Sequence, residues 1–117
     1  MTPEQLAIEA ARAADDRKAE DVRIMDMRKS LSITDFFVVA SGRNDRQVKR
    51  VQDEIEARLR ELGVKPFRRE GERSGRWLIL DYLDFVVHIF LEEDRSFYDL
   101  ERLWQVPLIE WRETAAT

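Results

Sequence analysis

One imidazole with several carboxylates close to it in sequence forms the first group of residues able to do chemistry in this chain. His88 lies in the apolar run Phe85 to Leu91, flanked by Asp81 and Asp84 on one side and by Glu92 and Glu93 on the other. A histidine base needs a positioned nucleophile, and the stretch from Trp77 to Leu91 contains no serine or threonine to supply one. A core or interface histidine satisfied by a hydrogen bond is the plainer reading. Asp81 and Asp84, together with Asp26, carry charge suited to a hard cation. Metal-assisted phosphoryl or nucleotidyl transfer wants two carboxylates alternating on one strand so that both reach one ion, and neither aspartate has such a partner. They read as turn caps, with no metal expected. Ser41-Gly42-Arg43-Asn44-Asp45 follows an apolar strand and precedes a helix, where outward-pointing amides can hold a phosphate. A single glycine there equally serves a turn and a helix cap.

Two charge runs remain. Lys65 to Arg76 holds Lys65, Arg68, Arg69, Arg73 and Arg76 against two glutamates, and Glu92 to Glu101 holds five acids against Arg95. Such runs are usually solvated surface. The acids, however, are interleaved with Phe97, Tyr98 and Trp104, and aromatics concentrate binding energy once they are dry. An acidic aromatic face suits a basic protein better than it suits RNA.

The elements that must position these residues follow from the pattern. Thr2-Pro3-Glu4-Gln5 forms a capping box with proline at the first helical position, starting a helix to about Lys18 with a thin stripe of Leu6, Ala10 and Ala13. Asp21 to Met27 alternates as a strand of moderate burial, and Thr34 to Ala40 is apolar on both faces and therefore central. Asn44 with Gln47 starts a second helix, whose Val48, Val51, Ile55, Leu59 and Leu62 share one face until Gly63 and Pro66 stop it. Pro66 to Glu70 makes an edge strand, and Gly71 to Gly75 a turn. Trp77 to Leu80 and Phe85 to Leu91 form a hairpin across Asp81-Tyr82-Leu83-Asp84, followed by a short helix. The strand-helix-strand crossover makes its flanking strands parallel. The fold class is α/β or α+β: a mixed five-stranded sheet flanked by helices, one domain over residues 1–112, and a frayed tail at 113–117.

Composition narrows the function classes. A chain of 117 residues, 44% hydrophobic and 38% charged, buries a single core without a staple. Without cysteine there is neither disulfide nor thiol catalysis, and one histidine is too few for an ordinary zinc site. A net charge of −4 argues against a dedicated nucleic-acid binder. No apolar run reaches the roughly 20 residues of a membrane span and no signal peptide is visible, which places the expectation in the cytoplasm.

The segments SITDFFVVASG with RQV, GVKPFRREGE, GRWLILDYLDFVVHIF and FYDLERLW closely resemble the ribosomal silencing factors of the iojap family over about residues 3–105. The resemblance implies a domain related to the nucleotidyltransferase fold without its catalytic carboxylates, with no cofactor and no catalysis. It further implies binding to the large ribosomal subunit through ribosomal protein uL-fourteen, a block on small-subunit joining when nutrients are short, and a homodimer. The family usually places glycine where this chain has Leu83, so a turn needing positive φ there costs about 1 kcal/mol or more.

On this reading the domain acts sterically, since a folded unit of this length is roughly 25 to 30 Å across. Trp77 and Tyr82 are the expected anchors. Asp81, Asp84, His88, Glu92, Glu93, Asp94, Tyr98 and Asp99 complete the expected partner-binding surface, the acids steering it toward a basic ribosomal protein. Arg68, Arg69 and Arg73 are candidates for a minor contact with ribosomal RNA. The alternatives are a nucleotide-binding or nucleotidyltransferase-like enzyme built on Ser41-Gly42 and the aspartates, and a module that self-associates through an edge strand near Phe67.

Overall fold

The computed structural model describes residues 1–30, 33–73, 76–98 and 105–112, with the side chains of residues 96–98 also outside the described set. Helix α1 (Pro3–Asp16) starts at the expected capping box: Gln5 N donates to Thr2 Oγ1 at 3.1 Å, and Thr2 N donates to Gln5 Oε1 at 2.9 Å. Its buried face is made of Ala7, Ala10, Ala11, Ala13 and Ala14, while Leu6 is only half-buried. Alanine side chains are short, so α1 approaches its neighbours closely, against α2 (Asp45–Glu61) and the sheet. Helix α2 begins at Asn44, whose side chain accepts from Gln47 N, and buries Val48, Val51, Ile55 and Leu59 as the spacing predicts, whereas Leu62, expected on the same face, is the C-terminal cap and is exposed.

The sheet has six strands rather than five: β1 (Glu20–Asp26), β2 (Phe36–Gly42), β3 (Arg68–Glu70), β4 (Trp77–Asp81), β5 (Phe85–Leu91) and β6 (Leu108–Ile109), in the order β3-β4-β5-β2-β1-β6. A short helix, α3 (Glu92–Tyr98), leaves β5 directly. Strands β2 and β5 are parallel neighbours at the centre, and every other neighbouring pair is antiparallel. The crossover through α2 leads to β3, which runs in the direction of β2 but lies at the far edge, with β4 and β5 between them. The extra strand, β6, changes the environment of β1. Met25 and Met27 are fully buried rather than moderately so, because β1 is flanked on both sides.

Alternation sorts the sheet residues into two cores. One, facing the helices, gathers Ile24, Phe36, Val38, Leu78, Leu80, Phe85, Val87 and Ile89 with the apolar faces of α1 and α2. The other, on the opposite face, gathers Met25, Met27, Phe37, Val39 and Phe90, with Trp77, Val86 and Val106 at its margin.

The hairpin turn settles the question raised by Leu83. Tyr82 N donates to Phe85 O at 3.0 Å, Leu83 N donates to Asp81 Oδ1 at 2.8 Å, and Leu83 adopts φ +72°. The left-handed conformation that glycine takes without strain is thus kept, with leucine bearing it. At the other hairpin Gly71 has φ +83°, and a Cβ there would meet Trp77 O at 1.9 Å, so no larger residue fits.

Edge strand β3 is tied down by charge. Arg69 forks onto the buried Glu56 of α2 at 3.0 and 3.1 Å through Nε, and Gln52 donates to Glu56 at 2.8 Å and to Glu72 at 3.2 Å. Burial works to raise the Glu56 pKa, but the hydrogen bonds from Arg69 and Gln52 together with the Arg69 charge outweigh it, and the carboxyl lies below its ordinary 4.5. A carboxyl lowered by folding contributes stability that is present above its unfolded pKa and lost as pH falls through the folded one. Urea midpoints are therefore expected to fall as pH drops below about 4.5, and less steeply in Glu56→Gln. Leu83→Gly is expected to raise stability in urea by about 1 kcal/mol through relief of the left-handed leucine.

Candidate partner-binding site

Three rows of residues cross the sheet face that lies away from the helices, each set by strand register. The first runs Arg68, Asp81, Val86, Phe37, Met25, Leu108; the second runs Glu70, Ile79, His88, Val39, Arg23; the third runs Trp77, Phe90, Ser41. At their junction four rings tile together. Trp77 stacks on Phe90 with centroids 5.1 Å apart, and Phe37 meets His88 edge-on at 4.6 Å. Trp77 Nε1 donates to His88 Nδ1 at 3.1 Å, which in the neutral ring leaves the proton on Nε2. Phe37, His88 and Phe90 are buried, whereas Trp77, Ile79 and Val86 are half-buried and carry the surface of this tile.

The expected anchors therefore part company. Trp77 has ring surface to offer, held in orientation by His88. Tyr82 does not: it is 6% exposed, belongs to the helix-side core, and stacks on Phe85 at 4.8 Å with planes 8° apart. Burial pushes its phenol well above the ordinary 10, and the Glu56 charge adds to that. An anchor must reach its partner, so Tyr82 is core rather than anchor. His88, also 6% exposed, orients Trp77 more than it touches a partner.

The acids fall into distinct settings. Asp81 caps the turn at Leu83 and faces Arg68 at 3.4 Å, and the Asp84 side chain is exposed. Glu93 and Asp94 meet Arg76 at 3.4 and 3.0 Å. Glu92 is raised above its usual value, first by its hydrogen bond to Glu20 and then by the Glu20 charge, while the Arg43 hydrogen bond lowers Glu20. The side chains of Phe97 and Tyr98, and all of Asp99, Glu101 and Trp104, lie outside the described residues. Asp26 is held by Arg28 at 2.7 and 2.9 Å on β1, and no group of acids or His88 is arranged to hold a metal among the described residues.

The arginines expected to touch RNA do not form one surface. Arg68 and Arg69 are successive strand residues on opposite faces, the first facing Glu70 and Asp81, the second bound to Glu56. Arg73 is exposed in the turn beyond them. The Ser41-Gly42 pair is likewise taken up by structure. Both residues lie inside β2, and a Cβ on Gly42 would come within 2.9 Å of Val48 Cγ2, so glycine lets α2 pack against the strand end.

Sequence reasoning missed Arg95, reading it as a lone countercharge. It is buried, and its Nη1 donates to Ser41 Oγ at 2.9 Å and its Nη2 lies 3.5 Å from Asp21 Oδ2. It thereby fixes the acidic start of α3 to the strands β1 and β2. The available signal was a single cation in a run of acids next to a central strand. Arg95→Ala is expected to lower the urea-unfolding free energy by about 2 kcal/mol, since a charged hydrogen bond is lost and Ser41 is left buried without it.

The fold and this face bear on kinship. The family model described as "Ribosomal silencing factor during starvation" matches residues 1–116. The chain is 39% identical over 95 residues to the ribosomal silencing factor RsfS of Bacillus subtilis, covering 81% of this chain and 80% of that one. It is 36% identical over 111 residues to RsfS of Halalkalibacterium halodurans, covering 94% and 95%. A crystal structure of a Chromobacterium violaceum protein superposes with a TM-score of 0.86 at 34% identity, covering 99% of this chain and 97% of that one. With a match running almost end to end in sequence and in fold, this chain belongs to the ribosomal silencing factor family.

Proposed function

We propose that the chain silences ribosomes by docking on the large subunit through ribosomal protein uL-fourteen and standing in the path of the small subunit. The observation that carries this reading is the half-exposed Trp77, set by His88 on an apolar sheet face. Aromatic anchors in such a setting concentrate binding energy, and Glu92 and Glu93 just past the end of β5, with Asp84 at the hairpin turn, supply charge to steer a basic ribosomal protein. Family membership supports the ribosome as the partner. Extents of 35 × 32 × 31 Å, somewhat larger than length alone suggests, support a steric block. Such a role needs affinity and no chemistry, in keeping with relatives named as silencing factors rather than enzymes. Among the described residues no helix is long and apolar enough to cross a membrane. The cytoplasm as site of action, lowered translation under nutrient limitation and a homodimeric free state belong to the same proposal.

Co-sedimentation with isolated large subunits, and fewer joined ribosomes when both subunits are mixed, are the expected results. Pelleting with the small subunit alone would overturn the reading. Trp77→Ala is expected to weaken docking by about 2 kcal/mol, roughly thirtyfold in Kd, with the fold retained. Tyr82→Ala, by contrast, is expected to lower thermal stability before it affects docking.

A further inference from the structure

A second surface lies at the corner where α1, α2 and the end of β2 meet. Where α1 ends and α2 begins, a cleft of about 470 Å³ is lined by Arg17, Lys18, Arg43, Arg46 and Arg50 against one acid, Asp16, among its described residues. The cations differ in what holds them. Arg17 is paired with Glu54 at 3.0 Å and Arg43 with Glu20 at 2.8 Å, and Asp16 is taken up by Arg58. Lys18, Arg46 and Arg50 are exposed and pair with no carboxylate among the described residues. Arg46 and Arg50 stand one turn apart on α2, about 5–6 Å between Cβ atoms, so they present two charges side by side.

The walls of this cleft are built rather than accidental. Gln47 Nε2 donates to Arg17 O at 3.2 Å and to Lys18 O at 2.9 Å, and its Oε1 accepts from Arg43 N at 2.8 Å. One amide side chain thus pins the turn after α1, in which Lys18 adopts φ +62°, to the entrance of α2. The helix-end amide of Gln47 is already capped by Asn44 at 2.9 Å, so the cations and not the helix end supply the attraction. In a chain of net charge −4, three cations that pair with no carboxylate among the described residues, gathered on a backbone corner pinned by Gln47, suit a polyanion.

We infer that this cleft binds the phosphodiester backbone of RNA, through Lys18, Arg46 and Arg50. Guanidinium groups on a held scaffold suit phosphate oxygens, and the absence of aromatic rings among the described lining residues fits backbone contact without base stacking. The site adjoins the pocket in which Arg43 and Arg46 stand with Arg76, Glu92 and Glu93, and the inference does not depend on docking at Trp77.

The test is fluorescence anisotropy of the full chain with a labelled single-stranded oligouridylate and a labelled RNA duplex. Binding to either, weakening by about tenfold or more from 50 to 200 mM salt, is expected for three phosphate contacts. The variant Lys18→Ala/Arg46→Ala/Arg50→Ala is expected to lose most of this affinity. Lys65→Ala/Arg68→Ala/Arg73→Ala, with the same change in net charge, is expected to keep it. All substituted side chains are exposed, and circular dichroism checks that both variants fold. Absence of binding to both probes, or equal loss in the two variants, would overturn the inference. So would equally tight binding of poly-glutamate, which would make the occupant an acidic protein.

Discussion

Burial of β2 and β5 on both faces sets the terms for the rest of the molecule. A parallel pair in the middle of a sheet exposes apolar side chains above and below, and water must be kept from both sides. The seven residues of β2 are all buried, and β5 is buried at every position except Val86. On one side the solution is α1 and α2, the former brought close by its alanines. On the other side there is no helical layer of comparable length among the described residues, and the strands cover one another with Met25, Phe37, His88, Phe90 and Trp77. The half-exposed indole arises from this unequal coverage: it sits where the apolar face meets solvent.

Polar groups at the margins convert this layered core into a surface with defined charge. Arg95 fixes α3 to the start of β1 and the end of β2, Arg69 fixes β3 to α2, and Gln47 fixes the α1 turn to the start of α2. Each joins an element with little core of its own to one that has much. Acids crowd the end of β5 and the start of α3, and cations collect at the adjoining α1–α2 corner, the two meeting in one pocket where Arg43 and Arg46 face Glu92 and Glu93. A net charge of −4 is therefore an average over regions of opposite sign.

Caps, periodicity and alternation were legible because each is local. Thr2, Pro3 and Gln5 specify a helix start within one turn, Val48 to Leu59 specify a buried face through the helical period, and Phe36 to Ala40 with Phe85 to Leu91 announce strands buried on both sides. Even the strain at Leu83 could be anticipated, because the turn imposes φ on that position whatever side chain stands there. The family was readable too, through ordered motifs spread over most of the chain.

What separated the residues in space was not local. Tyr82 and Trp77 are both aromatic and belong to the same hairpin, yet one is stacked into the helix-side core and the other lies open on the opposite face. Strand β6 has only two paired residues, too few for any pattern, and exists because β1 offers it an edge. Arg68 and Arg69 look like one patch in sequence and are split by the pleat; Lys18, Arg46 and Arg50 look scattered and are gathered by a helix corner. The sequence alone determined which segments are helix or strand and which faces are apolar, since those depend on neighbours a few residues away. Which side chains remain in water, and which charges find partners, only the tertiary structure decided, because burial and pairing depend on residues tens of positions distant.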